Sequence, residues 1–463
     1  MNIIILGAGQ VGSSVAESLV SEANDITIVD TDVARLRWLQ DRLDLRTVTG
    51  NAALPSVLAQ AGAADAELLI AVTQSDQTNL CACRTAATLF KIPRRIARLR
   101  SQDYSHYPEL LDKSNFAVDF SICPEQIVTD YIVRLIELPE ALQVLALANG
   151  LVSLVAVRAF AGSPLVGHPI ADIRQHMPHI DARIVAIYRG ERPIIPAGDT
   201  WVEPGNEVFC LASTRNIRAV MSELHLPDRP TQRILIAGGG NIGFRLALAT
   251  ESDYSVKLIE ASAERAEFLG ANLGRTLVLE GDATDEDLLI AEGIEDTDMF
   301  LALTNDDENN IMASLLAKRM GARRVVALIN RRSYVDLMQS GRIDVAISPA
   351  QISIGTLLAH VRRGDVATVH RLRRGAAESL ELVVHGDAAS SRVIGRRIEE
   401  LDLPEGVTVG AMVREDKATG IPRVVIAHHD ALIEPEDHVI LFLVNKALVT
   451  KVEKLFHVGI GFV

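Results

Sequence analysis

The chain carries the same glycine-rich string twice, half a length apart. Gly7-Ala8-Gly9-Gln10-Val11-Gly12 returns as Gly238-Gly239-Gly240-Asn241-Ile242-Gly243, a shift of 231 in 463 residues. Each copy follows a short apolar run and opens a helical pattern. In that setting the first glycine permits a tight turn, the second lets the backbone approach a pyrophosphate, and the third lets the helix pack closely on the sheet. The helix start then turns free N–H groups and the positive end of its dipole toward the phosphates. Gly7, Gly9, Gln10, Val11 and Gly12 are therefore candidate ligand contacts, as are Gly238, Gly240, Asn241, Ile242 and Gly243.

The repeat extends well beyond the glycines. Ile26–Asp30 matches Val256–Glu260, Thr73–Leu80 matches Thr304–Ile311, and Ile122-Cys123-Pro124 matches Ile347-Ser348-Pro349, with the offset drifting only between 225 and 231. An ancient duplication is the simplest origin. Within the first half, apolar runs near 2–6, 26–30, 45–49, 68–72, 95–99 and 118–122 alternate with helical patterns such as Val33–Leu43, where Val33, Leu36, Leu39 and Leu43 share a face. This alternation predicts parallel strands with right-handed crossovers, the doubly wound dinucleotide fold. With aromatics at 4%, Val, Ile, Leu and Ala must fill the cores, as buried parallel sheets require.

After Pro124 the pattern changes. Glu125–Leu138 reads as one helix, followed by short strands around an Asn149-Gly150 hairpin turn and no further βαβ units. The expected plan is α/β, two tandem repeats, each a Rossmann-like parallel-sheet lobe followed by a small α+β lobe. The expected boundaries are 1–123, a crossover helix 124–138, a small lobe 139–226, a linker 227–231, a second nucleotide lobe 232–348, a crossover helix 349–364 and a last lobe 365–463.

Other residues gather around the glycine loops in this plan. Asp30 and Glu260 close the second strands, where a carboxylate accepts from both ribose hydroxyls and repels a 2′-phosphate, favouring NAD or an adenine nucleotide over NADP. Asn51 and Asp282 follow the third strands, either at the adenine edge or as polar turns. Thr73, Asp76, Thr304 and Asp307 follow the fourth strands, either across the crevice from the glycines or as helix caps. Arg98 lies in the fifth strand, in reach of a phosphate or in a surface ion pair. The second copy has Leu328 in its place and Asn330 opposite Arg100, so the two sites are chemically unequal.

Composition narrows the function. A net charge of −14 argues against nucleic acid as a partner, because phosphate neutralisation needs a basic face. Cys81, Cys83, Cys123 and Cys210 form no zinc spacing and read as buried apolar thiols in a reducing compartment, with Cys81 and Cys83 on different sides of a helix. No metal cluster is expected. No secretory leader is read, and no run reaches the roughly 18 apolar residues of a membrane span, so a cytoplasmic chain is expected. An NAD-dependent oxidoreductase would need a proton donor beside the nicotinamide. No Tyr-x-x-x-Lys occurs, none of the twelve histidines has a recognisable catalytic setting, and a second nucleotide lobe is left without a role. The alternative is a sensor, with no catalysis, in which nucleotide occupancy shifts a bistable arrangement. The helices after Pro124 and Pro349 are then its levers.

Longer strings carry a resemblance. Ile3–Gly12, Asn24–Asp30 and Ala97-Arg98, with Gly238–Gly243, Ser255–Glu260 and Thr304–Glu308, are similar to the TrkA family of bacterial Trk potassium uptake systems, end to end. The resemblance implies two tandem regulator-of-potassium-conductance (RCK) units, and NAD(H) and ATP or ADP as ligands. It implies a homo-oligomer, a tetrameric ring, on the inner face of the cell membrane beneath a TrkH- or TrkG-like potassium-translocating subunit. By matching motifs it implies ligand contacts at Gly7, Gly9, Gly12, Asp30, Asp76 and Arg98, and at Gly238, Gly240, Gly243, Glu260 and Asp307.

Overall fold

The computed structural model describes residues 1–20, 24–101, 103–190, 192–226, 229–331, 333–334, 343–361, 366–372, 376–416 and 419–457. Six parallel strands, β1 (Asn2–Leu6), β2 (Asp25–Asp30), β3 (Arg46–Thr49), β4 (Leu68–Ala71), β5 (Arg94–Arg98) and β6 (Phe120–Ile122), form a sheet in the order β3-β2-β1-β4-β5-β6. Ile3 to Leu6 and Leu68 to Ala71 are all buried, the signature of strands covered on both faces. The chain winds outward from β1 to β3, returns to β4 beside β1, and so creates a switch point at the carboxyl ends of β1 and β4. Helices α1 (Gln10–Val20), α2 (Val33–Gln40), α3 (Pro55–Gln60) and α4 (Asp76–Thr85) make the crossovers, with a short turn of helix α5 (Asp103–His106) after β5. Helix α2 is shorter than its apolar spacing suggests. Leu36 and Leu39 are buried, but Val33, in its opening turn, is 43% exposed, so the buried face is narrower than the expected stripe.

Helix α6 (Pro124–Glu137) leads to the first small lobe, whose strands are β7 (Ala141–Leu147), β8 (Val152–Arg158), β9 (Ala182–Arg189), β10 (Arg192–Ile194) and β11 (Glu207–Ser213), with helices α7 (Ile173–His176) and α8 (Ile217–Ser222). The sheet is antiparallel, ordered β10-β9-β11-β8-β7. Its β7–β8 turn holds Ala148, Asn149 and Gly150 at positive φ, which Asn-Gly supplies at low cost and Ala148 does not.

The second half repeats both topologies. Strands β12 (Arg233–Ala237), β13 (Ser255–Glu260), β14 (Leu277–Glu280), β15 (Met299–Ala302), β16 (Arg324–Leu328) and β17 (Val345–Ile347) order as β14-β13-β12-β15-β16-β17. Helices α9 (Asn241–Thr250), α10 (Ala263–Asn272), α11 (Glu286–Ala291) and α12 (Asp307–Arg319) belong to this lobe. Helix α13 (Pro349–Val361) follows; positions 362–364 of the expected crossover helix and 227–228 of the expected linker lie outside the described residues. The last lobe has β18 (Val366–Leu372), β19 (Ala377–Val383), β20 (Val407–Glu415), β21 (Pro422–Ile426) and β22 (His438–Leu443), ordered β18-β19-β22-β20-β21, and ends in helix α14 (Val449–Phe456).

The chain divides into two compact units that do not coincide with the two repeats. The first comprises Met1–Val128 and Ser348–Val361. Helix α13, from the second half of the sequence, packs on α1 within it. Arg94 donates to the His360 carbonyl at 3.3 Å, and the His360 ring stacks on Phe120 at 3.5 Å between centroids. Ile354, Leu357, Leu358 and Val361 are buried. The second unit holds the remainder of α6, the second nucleotide lobe and both small lobes. There the small-lobe sheets pack against each other. Phe209 meets Phe442 at 5.3 Å between centroids, His428 Nε2 lies 2.7 Å from Asp181, and a Cβ on Gly410 would fall 2.8 Å from Leu211.

Candidate functional site

The glycine loops divide their labour by position. Gly7 has φ +105°, and a Cβ there would lie 3.0 Å from the Val72 carbonyl oxygen; Gly238, at +106°, would meet the Thr304 amide at 2.9 Å. A Cβ on Gly12 would sit 1.9 Å from the Gly7 oxygen, and one on Gly243 2.0 Å from the Gly238 oxygen. These four glycines are demanded by the chain itself. Gly9 and Gly240 are different: a Cβ on either meets no described residue within 4 Å, and neither has positive φ. The space beside them is open.

Helices α1 and α9 begin at Gln10 and Asn241, with no acidic residue in the first turn of either. The first intrahelical bonds run from Ser13 to Gly9 and from Phe244 to Gly240, so the amides of Gln10, Val11 and Gly12, and of Asn241, Ile242 and Gly243, precede any helical partner. Gln10 and Asn241 are exposed, Val11 and Ile242 half-buried. A phosphate placed there meets uncompensated donors and the positive helix end.

Asp30 and Glu260 tie the loops to the second strands. Asp30 accepts from the Ala8 amide at 2.5 Å and the Asp32 amide at 2.8 Å, and Glu260 accepts from Gly239 and Ser262 at 2.8 and 2.9 Å. Each carboxylate oxygen so engaged keeps a second acceptor position for a ribose hydroxyl.

The residues after β3 form local turns. Asn51 accepts from the Ala53 amide at 2.9 Å, and Asp282 from the Thr284 amide and hydroxyl, both at 2.8 Å; those bonds lower the Asp282 pKa. After β4, the helix cap is not the expected Thr-x-x-Asp pair. Ser75 caps α4 and Asp306 caps α12, because theirs are the side chains that reach the third amide of the helix. Thr73 and Thr304 instead donate through their hydroxyls to Asn79 and Asn310 at 2.7 Å. These fully buried asparagines also donate to the carbonyls of Arg98 and Leu328, fastening β4 to β5 and β15 to β16 at the switch point. Their signal is in the sequence, for both fall at the repeat offset of 231, yet each reads there as an ordinary polar residue inside a helix. Asp76 and Asp307 are buried and clamp the backbone after the fifth strand, Asp76 accepting from Arg100 and Ser101 and Asp307 from Asn330 and Arg331.

Arg98 does not stand on an open surface. Its guanidinium pairs with Glu125 at 2.6 Å, both side chains about nine-tenths buried, and Arg100 reaches the same oxygen at 3.3 Å. Glu125 lies in the first turn of α6 and is a site residue that the sequence reading missed. Its counterpart in the repeat is Ala350, as Leu328 is the counterpart of Arg98, so both halves of the pair are missing together.

The cysteines divide. Cys83 and Cys210 are buried, and burial pushes both thiols up to about 12. Cys81 is exposed on the outer face of α4, against the expectation of four buried thiols, and Cys123 is half-buried. Among the described residues no group of three or more His, Cys, Asp or Glu is placed to hold a metal, and no helix is long and apolar enough to cross a membrane.

Comparison with known proteins agrees with this architecture. Residues 3–117 and 234–349 match the TrkA-N domain family, and residues 154–225 the TrkA-C domain family. The chain is 55% identical over 462 residues, the whole of both chains, to the Trk system potassium uptake protein TrkA of Halomonas elongata. It is 55% identical over 457 residues, 98% of each chain, to that of Vibrio alginolyticus. Its fold resembles the GsuK RCK domain, with TM-score 0.61 at 18% identity, covering 98% of this chain and 94% of that one. It also resembles the GsuK channel bound to NAD, with TM-score 0.60 at 19% identity, covering 98% and 78%.

Proposed function

The chain belongs to the TrkA family of Trk system potassium uptake proteins, and from that premise we propose that it is the cytoplasmic, nucleotide-sensing subunit that gates a membrane potassium-translocating partner. It acts by binding, not by catalysis. The observation that carries this reading is the pair of loops in which Gly9 and Gly240 leave room that no described residue claims. NAD(H) or an adenine nucleotide lays its phosphates on the first turns of α1 and α9, with its ribose hydroxyls on Asp30 and Glu260. The GsuK channel, of the same fold, is a protein bound to NAD. Asn51 and Asp282 line the adenine side, and Thr73, Asp76, Thr304 and Asp307 hold the opposite wall.

The two sites are unequal. In the first, a phosphate competes with Glu125 for Arg98, and so acts on the first turn of α6. The second, with Leu328 and Ala350 there, has no such connection. Assembly as a tetrameric ring beneath a TrkH- or TrkG-like subunit would convert this local exchange into force on the membrane protein.

Calorimetric titration of the purified chain with NAD+, NADH, ATP and ADP tests the reading. Saturable binding is expected, and Asp30→Ala should weaken adenosine binding by about 1–3 kcal/mol as two charge-assisted hydrogen bonds are lost. Unchanged titration of that variant would sink the site assignment. Turnover of NADH with any metabolite would restore an oxidoreductase.

A further inference from the structure

The two small lobes share one topology but not one lining. Strand pairing fixes the correspondence: Ala156 lies opposite Gln143 and Phe209, and Glu381 lies opposite Thr368 and Ile440. His370 then takes the place of Leu145, Glu381 that of Ala156 and His438 that of Glu207. Burying a carboxylate and an imidazole where the repeat has methyl groups is unfavourable unless they are satisfied. Glu381, 3% exposed, is satisfied: it accepts from the Thr368 hydroxyl at 2.9 Å and the Ala148 amide at 3.0 Å, and His438 Nδ1 lies 2.7 Å away.

His370 is not. Its Nε2 is buried with no hydrogen-bond partner among the described residues. Burial pushes the ring down to about 4, so it is neutral at pH 7 and can present an N–H. These groups line a cavity of about 400 Å³ with Arg134, Ala146, Asn149 and Ala367. That volume lies in the range of small-molecule sites. Arg134 comes from α6, and among the described residues no carboxylate pairs with it. The carboxylate oxygens of the cavity are therefore taken, while a guanidinium and an imidazole remain unspent.

We propose that this cavity is an oxyanion site, taking the carboxylate or phosphate group of a small metabolite, with Arg134 as its charged clamp and His370 as a hydrogen-bond donor. Arginine is suited to bidentate capture of either group. The site is separate from both glycine loops. Yet Arg134 lies on the helix whose first turn carries Glu125, so anion and nucleotide act on one element.

The test uses the full chain with NAD+ present, titrated calorimetrically with inorganic phosphate and, separately, with succinate. Saturable binding of at least one anion is expected, and which one binds separates the two sources. Arg134→Gln should weaken it at least about tenfold, the equivalent of 1.4 kcal/mol, and Arg134→Lys should restore part of it. His370→Leu installs the residue of the repeat, and binding should fall in that variant too, which keeps the test decisive if Arg134→Gln fails to fold. The proposal is overturned if neither anion binds, if both variants bind as the parent does, or if anion heat is seen only in a control titration without NAD+, which would assign it to the glycine loops.

Discussion

Within one turn, two glycines are present for unlike reasons, and substitution separates them. Gly12→Ala drives a Cβ into the Gly7 carbonyl at 1.9 Å, a backbone atom that cannot step aside. The variant should lose on the order of 3 kcal/mol of stability, read as a lowered melting temperature. Gly9→Ala meets nothing, so its melting should stay within about 0.5 kcal/mol of the parent while nucleotide affinity falls about tenfold or more. If Gly9→Ala binds normally, the open space is not the phosphate seat. The motif spelled out all three glycines but not which of them the chain itself requires, since that depends on what stands opposite each Cβ. The same limit hid Asn79 and Asn310. A buried amide that staples two strands is, in sequence, an ordinary polar residue in a helix.

At the scale of elements, the Arg98–Glu125 pair joins β5 to α6. Arg98→Leu copies the second half at one position only and takes from a nearly buried carboxylate its nearest guanidinium. It should destabilise the first unit by about 2 kcal/mol. Arg98→Leu combined with Glu125→Ala reproduces Leu328 and Ala350 and should recover most of that loss, because removing both partners costs less than stranding one. Thermal melts of the single and double variants check this; a double variant no more stable than the single would show that the pair is not one unit. Strands and helices were legible because the buried strands read as short unbroken apolar runs and the helices as stripes of period 3.6, and because most elements occur twice. The expected strand at 26–30 forms at Asp25–Asp30, and that at 95–99 at Arg94–Arg98. What periodicity leaves open is the partner of an apolar face. The stripe on α13 says that the helix is covered, not that α1 of the other repeat covers it.

At the scale of the whole molecule, the unit that carries the first glycine loop is not contiguous in sequence. Four side chains of α13, Ile354, Leu357, Leu358 and Val361, are buried. At roughly 1.5–3 kcal/mol each their burial is worth on the order of 10 kcal/mol, as much as the net stability of a domain. A fragment ending at residue 231 lacks this helix. Its α1 amides should exchange with solvent markedly faster than in the full chain, and adding the second half in trans should slow them again. Unchanged protection in the fragment would mean that the first lobe stands without α13.

That discontinuity sets a clock on the newborn protein. The ribosome finishes Val128 and must add more than two hundred further residues before Val361 emerges. At 5–20 residues per second this delay is roughly 10–50 s. Through that interval the outer face of α1 has no cover, and the nascent chain depends on its surroundings to keep it from sticking. Completion of the first nucleotide lobe is thus a late event, and a chain interrupted in its second half leaves the first unfinished.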